Sequence, residues 1–285
     1  MTLKDIVTVL PQYALPHHAL SGMMSKLTHC ENRLWKNLFI KLIIRLYGVN
    51  MSEAKVQDLD HYASFNKFFT RELTEGCRPV AAAHDAITCP ADGAVSQAGP
   101  IEGGRIFQAK GHSYTALELL GGDAERAKAF ENGSFTTIYL SPKDYHRLHM
   151  PLTGTLKEMV HIPGRLFSVN NTTVNAVPNL FARNERVVCM FDTEAGPMAL
   201  VLVGAIFVSS VETVWHGVVT PPTVDTARTW KYQDNAPTLE KGAEMGRFNM
   251  GSTIIVLFGK DKIAWLDELT AGKPVKLGEQ IGRCF

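Results

Sequence analysis

In residues 33–49, RLWKNLFIKLIIRLYGV, the apolar positions Leu34, Trp35, Leu38, Phe39, Leu42, Ile43 and Leu46 recur at steps of three and four, with Arg33, Lys36, Asn37 and Lys41 between them. That spacing gathers the apolar side chains into one stripe and predicts a basic amphipathic helix. Such a helix suits either of two settings: packing on its own core, or lying in a lipid headgroup layer with its cations against anionic lipid. Beyond residue 60 the texture changes. GSFTTIYL, GTLKEMVHI, RVVCMFDT, PMALVLVGAIFVSSVETVW and STIIVLF are rich in Val, Ile, Phe and Thr, are punctuated by Gly, Pro and Asn, and predict strands. SFNKFFTREL, YTALELLGG and DAERAKAFEN read as short helices, and the polar, Pro-containing stretch 220–240 as a surface loop. The fold class expected is α+β, with N-terminal amphipathic helices on a mostly antiparallel, twisted β core. The boundary falls between a helical region, 1–58, and a β-rich domain, 59–285.

Composition adds size and rules out some partners. The 285 residues, 45% hydrophobic, can bury a large core. A net charge of +1 argues against a nucleic-acid partner, which calls for a basic face or stripe. The charge is uneven: residues 1–50 carry +4 and the remainder −3. Five widely spaced cysteines without a C-x-x-C pair predict reduced thiols in the cytosol rather than a disulfide framework or zinc knuckle. The start, MTLKDIVTVLPQYALPHHAL, has no basic segment followed by an apolar one, so no secretory signal is expected. The apolar run Gly196 to Val211 is 16 residues and falls short of a bilayer span.

The G-x-S-x-G, G-x-x-x-x-G-K-[ST], G-x-G-x-x-G and H-E-x-x-H signatures are absent. Three other segments carry polar residues among strands. In TCPADGAVS, Asp92-Gly93 is by itself most simply a tight turn. In TIYLSPKDYHRLHMP, Ser141, Pro142 and Asp144 read as a capped helix start, and a helical turn there would put His146 and His149 on one face. No third ligand stands near them, so no metal is expected. Imidazoles suit proton transfer near neutral pH instead. In NMGSTIIVLF, Ser252 is either a solvent-facing strand residue or a hydroxyl placed to attack the neighbouring carbonyl, which Gly251 leaves open. With a His to take the hydroxyl proton and an Asp to orient it, the parts are those of a serine nucleophile in the chain order Asp, His, Ser.

At these residues the chain resembles the bacterial phosphatidylserine decarboxylases, proenzymes that cut themselves before a serine and convert it to a pyruvoyl group. The likeness runs in order through FNKFFTREL, CPADGAVSQ, QAKGHSYTALELL, YLSPKDYHRLHMP, PGRLFSVN, VPNLFARNERV, FDTEAGPMA, ETVWHG and KGAEMGRFNMGST. One departure stands at the cleavage motif, Met250 in place of the commoner Leu, a change that conserves volume.

The resemblance implies that His149, oriented by Asp92, activates Ser252 to attack the Gly251 carbonyl. The chain would then split into a β chain, 1–251, and an α chain, 252–285, that stay together, with homodimerisation left open. It implies a covalent pyruvoyl cofactor from Ser252 and neither metal nor pyridoxal phosphate. That group would take the amine of phosphatidylserine as a Schiff base and release CO2, leaving phosphatidylethanolamine. His146 is then expected to serve decarboxylation or protonation, and Ser168 to be a hydroxyl near the pyruvoyl. A lipid substrate implies a peripheral protein on the cytoplasmic face of the cell membrane, with Trp35, Phe39 and Ile43 in the acyl boundary and Lys36, Lys41 and Arg45 on anionic headgroups. Two alternatives keep one intact chain: a Ser-His-Asp lipid hydrolase and a non-catalytic lipid-binding β module.

Overall fold

The computed structural model describes residues 3–109, 111–207, 210–221 and 224–285, the side chains of residues 3–6 and 8 excepted. Three helices open the chain: α1 (Leu3–Ala14), α2 (His17–Thr28) and α3 (Arg33–Tyr47). The third is the amphipathic segment. It starts where the Asn32 side chain accepts the Trp35 N–H, and it stops at Gly48, whose φ of 68° is left-handed. A short α4 (Phe65–Phe69) follows, capped by Ser64. Phe65, Phe68 and Phe69 meet Ile40, Val49 and Tyr62 in a small core of their own, with Phe39, Ile43, Ile44 and Met250 packed against it.

The rest is β structure in which the ladders between named strands are antiparallel. A nine-stranded sheet has Thr253–Phe258 near its middle, between Gly196–Val203 and Ser134–Tyr139. Every residue of Thr253–Phe258 is buried. Because side chains alternate across a strand, Ile254, Val256 and Phe258 enter one core and Ile255 and Leu257 the other. The first core is closed by a four-stranded sheet, containing Arg147–His149 and Glu244–Asn249, and by a three-stranded sheet. The second is closed by short helices and by the edge of α1, through Val9. A sheet covered on both faces explains why STIIVLF reads as a continuous apolar run rather than an alternating one.

The stretch 220–240 is not wholly loop. Arg228–Lys231 and Thr238–Leu239 both pair with Gly154–Ile162, and Trp230 packs on the first core. One aromatic residue anchors an edge strand that its polar neighbours conceal in the sequence.

Candidate active site

Gly251 and Ser252 lie where the chain leaves the four-stranded sheet after Asn249 and enters the nine-stranded sheet at Thr253. The crossing is tight. Met250 takes φ 96°, a left-handed conformation that costs a side-chain-bearing residue about 1–3 kcal/mol. The Ser252 carbonyl accepts the Leu140 N–H at 2.8 Å, whereas its side chain is fully buried and Oγ has no partner among the described residues. An unmade hydrogen bond at such a position is costly and marks a group held for something else. A Cβ built on Gly251 would stand 3.5 Å from His146 Nε2 and 4.0 Å from Phe69 Cζ.

The expected helical turn at Ser141 does not form. One of its capping bonds does: Asp144 Oδ2 accepts the Ser141 N–H at 2.7 Å, and it also accepts the Ser141 hydroxyl at 2.8 Å. The chain then runs extended into Arg147–His149, paired with Glu244–Asn249. Burial of Leu148 in the first core favours the strand over a helical turn. Residues three apart on an extended chain face opposite sides, so the two histidines part. His146 points inward with its ring 4.0 Å from that of Phe69. Its Nδ1 donates to the Asp144 carbonyl at 2.8 Å, which leaves Nε2 as the lone-pair nitrogen, buried and unpartnered. Burial, helped by the Arg71 charge, pulls its pKa down to about 3.

His149 is half-buried on the other side. Its Nδ1 donates to the Gly242 carbonyl at 2.8 Å, and Nε2 faces the Tyr145 hydroxyl at 3.3 Å. Burial lowers its pKa too, while the charges of Glu244 and Asp92 act in the opposite sense. Asp92 is nearly buried and receives Arg78 through Nε at 2.9 Å and Nη2 at 2.6 Å, and the Leu277 N–H at 2.9 Å. Arg78 also reaches Glu53 at 2.6 Å. The Asp92-Gly93 pair is no turn. Gly93 opens strand Gly93–Pro100, and a Cβ there would be 2.3 Å from the Tyr139 carbonyl oxygen, so only glycine lets the two strands approach.

Two cavities flank segment 139–143. One, about 170 Å³, is lined by Gly251, Met250, Phe69, Ser168 and, from α3, Ile43 and Tyr47. The other, about 550 Å³, holds Asp92, Arg78, Arg71, Lys143, Asp144 and Tyr145. The structure therefore brings His146, Gly251, Ser252 and Ser168 to one place, whereas Asp92 lies in the larger cavity and His149 on a cleft that shares Arg78 and Tyr145 with it, its Nδ1 given to Gly242 rather than to Asp92 as expected. Arg71 and Arg78 escaped the sequence reading, and Tyr145 stood in it only as a neighbour of the two histidines. The only hint was Arg71, a cation ending an aromatic run. Among the described residues no three His, Cys, Asp or Glu side chains group as a metal site.

Helix α3 forms a wall of the smaller cavity through one face and exposes another. Phe39 stacks on Phe65 at 4.2 Å, and Trp35 Nε1 donates to the Leu27 carbonyl. Lys36 is buried, its ammonium given to the carbonyls of Leu59 and Asp60 and to Asn37. The outward stripe is Leu34, Leu38, Leu42 and Leu46, between 48% and 83% exposed, with Lys41 and Arg45 in solvent. Among the described residues no helix is long and apolar enough to cross a membrane.

A family model described as phosphatidylserine decarboxylase matches residues 65–283, and a second, described as PSD, matches residues 7–48. The chain is 58% identical over 283 residues to a phosphatidylserine decarboxylase proenzyme of Pseudomonas fluorescens Pf-5, covering 98% of each chain. It is 59% identical over 282 residues to the protein of that name from Pseudomonas entomophila L48, covering 98% of each. To that from Pseudomonas aeruginosa LESB58 it is 58% identical over 282 residues, covering 98% of this chain and 97% of the other.

Proposed function

The chain belongs to the phosphatidylserine decarboxylase family, and from that premise we propose how its own residues carry out self-cleavage and the decarboxylation of phosphatidylserine to phosphatidylethanolamine. The observation that carries the reading is the buried Ser252 hydroxyl, without a partner among the described residues, next to Gly251 and the strained Met250. Ser252 Oγ adds to the Gly251 carbonyl carbon, and the peptide bond becomes an ester as the Ser252 nitrogen takes a proton. Strain at Met250 helps drive this otherwise uphill exchange. Loss of the Ser252 α-proton then expels the Gly251 carboxylate. Water adds to the dehydroalanine left behind and ammonia departs, so residue 252 ends as a pyruvoyl group, dividing the chain into 1–251 and 252–285.

The base for the first step is His149. Its Nε2 carries the lone pair, and it is only half-buried where His146 is fully buried, so a proton it takes up is nearer solvent. Asp92, clamped by Arg78, lies near enough to favour the imidazolium electrostatically. His146 touches the Gly251 position already and is placed to handle the proton that replaces CO2. The pyruvoyl group, when present, supplies the electron sink for loss of CO2. Ser168, on the wall of the same cavity, is a hydroxyl available to the headgroup.

The exposed leucine stripe of α3, with Lys41 and Arg45, rests on an anionic lipid surface, which brings the headgroup to the cavity that Ile43 and Tyr47 wall. This makes the protein peripheral, on the cytoplasmic membrane face. A second reading rests on His146 Nε2 standing 3.5 Å from where a Cβ on Gly251 would lie: His146 itself takes the Ser252 proton. An intact mass spectrum under denaturing conditions tests the whole scheme. Two chains divided between Gly251 and Ser252 are expected, the smaller lighter than its serine-ended form by one ammonia. A single full-mass chain that still acts on lipid would overturn it.

A further inference from the structure

The charges around the larger cavity are mostly spoken for. Arg78 holds Asp92 and Glu53, Lys276 lies 3.7 Å from Glu53, and Asp144 caps Ser141. Arg71 is different. It is 4% exposed, and its guanidinium stands 5.3 Å from the Phe68 ring centroid. Nη2 donates to the Lys143 carbonyl at 3.2 Å, while Nε and Nη1 have no partner among the described residues. A guanidinium offers five N–H donors, and burying them bare is costly. Arg186, equally buried, shows what a purely structural arginine looks like here: Nε, Nη1 and Nη2 all bond carbonyls, of Leu119, Asn184 and Glu118.

We propose that Arg71, with the exposed Lys143 lining the same cavity, binds the phosphodiester of the phospholipid headgroup; this rests on the decarboxylase reading above. Nε and Nη1 do not share an edge of the guanidinium, so each is left as a bare charge-assisted donor for a phosphate oxygen. The site is close to the chemistry: Phe69, two residues before Arg71, packs its ring 4.0 Å from that of His146, and the Lys143 carbonyl that Arg71 bonds immediately precedes the Asp144 carbonyl that holds His146 Nδ1. The substrate carboxylate is the poorer candidate. It loses its charge as CO2 departs, so a cation clamped on it would stabilise the ground state more than the transition state, whereas the phosphodiester keeps its charge throughout.

The full-length protein in its two-chain form is assayed for CO2 release from phosphatidylserine in mixed micelles, and if it releases none the decarboxylase reading falls and this inference with it. Given activity, two inhibitors are compared in parent and Arg71→Gln: glycerophosphoethanolamine, a phosphodiester without a carboxylate, and free serine, a carboxylate without a phosphate. Arg71→Gln is expected to raise KM and weaken inhibition by glycerophosphoethanolamine by about tenfold or more, leaving serine inhibition unchanged. Weakened serine inhibition with glycerophosphoethanolamine unaffected would assign Arg71 to the carboxylate and overturn the proposal. Lower thermal stability with both inhibitors unaffected would make Arg71 a brace and overturn it equally. Should Arg71→Gln not fold, Arg71→Lys, which keeps the charge but not the separated donors, is read by the same two inhibitors.

Discussion

His146 and His149 stand three residues apart and face away from each other, His146 Nδ1 bound to the Asp144 carbonyl and His149 Nδ1 to that of Gly242, each at 2.8 Å. Both imidazoles thereby carry their lone pair on Nε2, but in separate surroundings: a dry pocket against Gly251 for one, the flank of a polar cleft for the other.

The separation predicts separable defects. His149→Ala should leave a single uncleaved chain, whereas His146→Ala should cleave fully and release no CO2. Gel analysis of the two variants beside a CO2 assay reads both. The reverse pattern, an uncleaved His146→Ala and a cleaved His149→Ala, would assign the base to His146.

Strain at Met250 predicts a rate effect without a change in the reacting groups. Met250→Gly accepts φ 96° freely, so about 1 kcal/mol less driving force should slow cleavage roughly fivefold. Met250→Leu, equally strained and close in volume, should cleave at the parent rate. Time courses of the freshly synthesised chain would show the difference, and equal rates for Gly and Leu would remove strain from the mechanism.

Burial of His146 predicts a pH dependence of stability. Its folded pKa of about 3 lies below the ordinary 6.5, so above pH 6.5 the group is neutral in both states and its contribution is complete. As pH falls below 6.5 the unfolded chain takes up the proton first, and stability declines by about 1.4 kcal/mol per pH unit toward the folded pKa. The lowered pKa of His149 adds in the same direction. Urea unfolding of an uncleaved Ser252→Ala chain between pH 7 and 5 should show this slope, reduced in the added His146→Phe background.

The cations of α3 should divide by burial. Lys41→Glu with Arg45→Glu is expected to weaken sedimentation with anionic vesicles and leave thermal stability unchanged, because both side chains are in solvent. Lys36→Glu removes the donor that Leu59 and Asp60 share and buries a carboxylate, at a cost of about 2–4 kcal/mol. Unchanged vesicle binding in the double variant would set the lipid contact elsewhere.

Much of this architecture is legible in residue order because its causes are local. Runs rich in Val, Ile, Phe and Thr located Ser134–Tyr139, Gly154–Ile162, Arg186–Thr193 and Thr253–Phe258, and the three-and-four spacing located α3. Asp92, His146, His149, Gly251 and Ser252 could be singled out from residue type and neighbours alone. Their mutual arrangement could not. The SPKD motif has the local signs of a helix start, yet pairing with Glu244–Asn249 and burial of Leu148 make the segment extended, and that alone sends the two histidines to opposite sides. Nothing near Lys36 in sequence shows that its ammonium is buried, since the carbonyls it serves are more than twenty residues away. Arg78 reaching Asp92 and Arg71 left with bare nitrogens are likewise products of distant segments meeting. Local pattern determined the elements and the chemical parts; long-range packing, which fixes every side-chain direction at once, decided which parts touch.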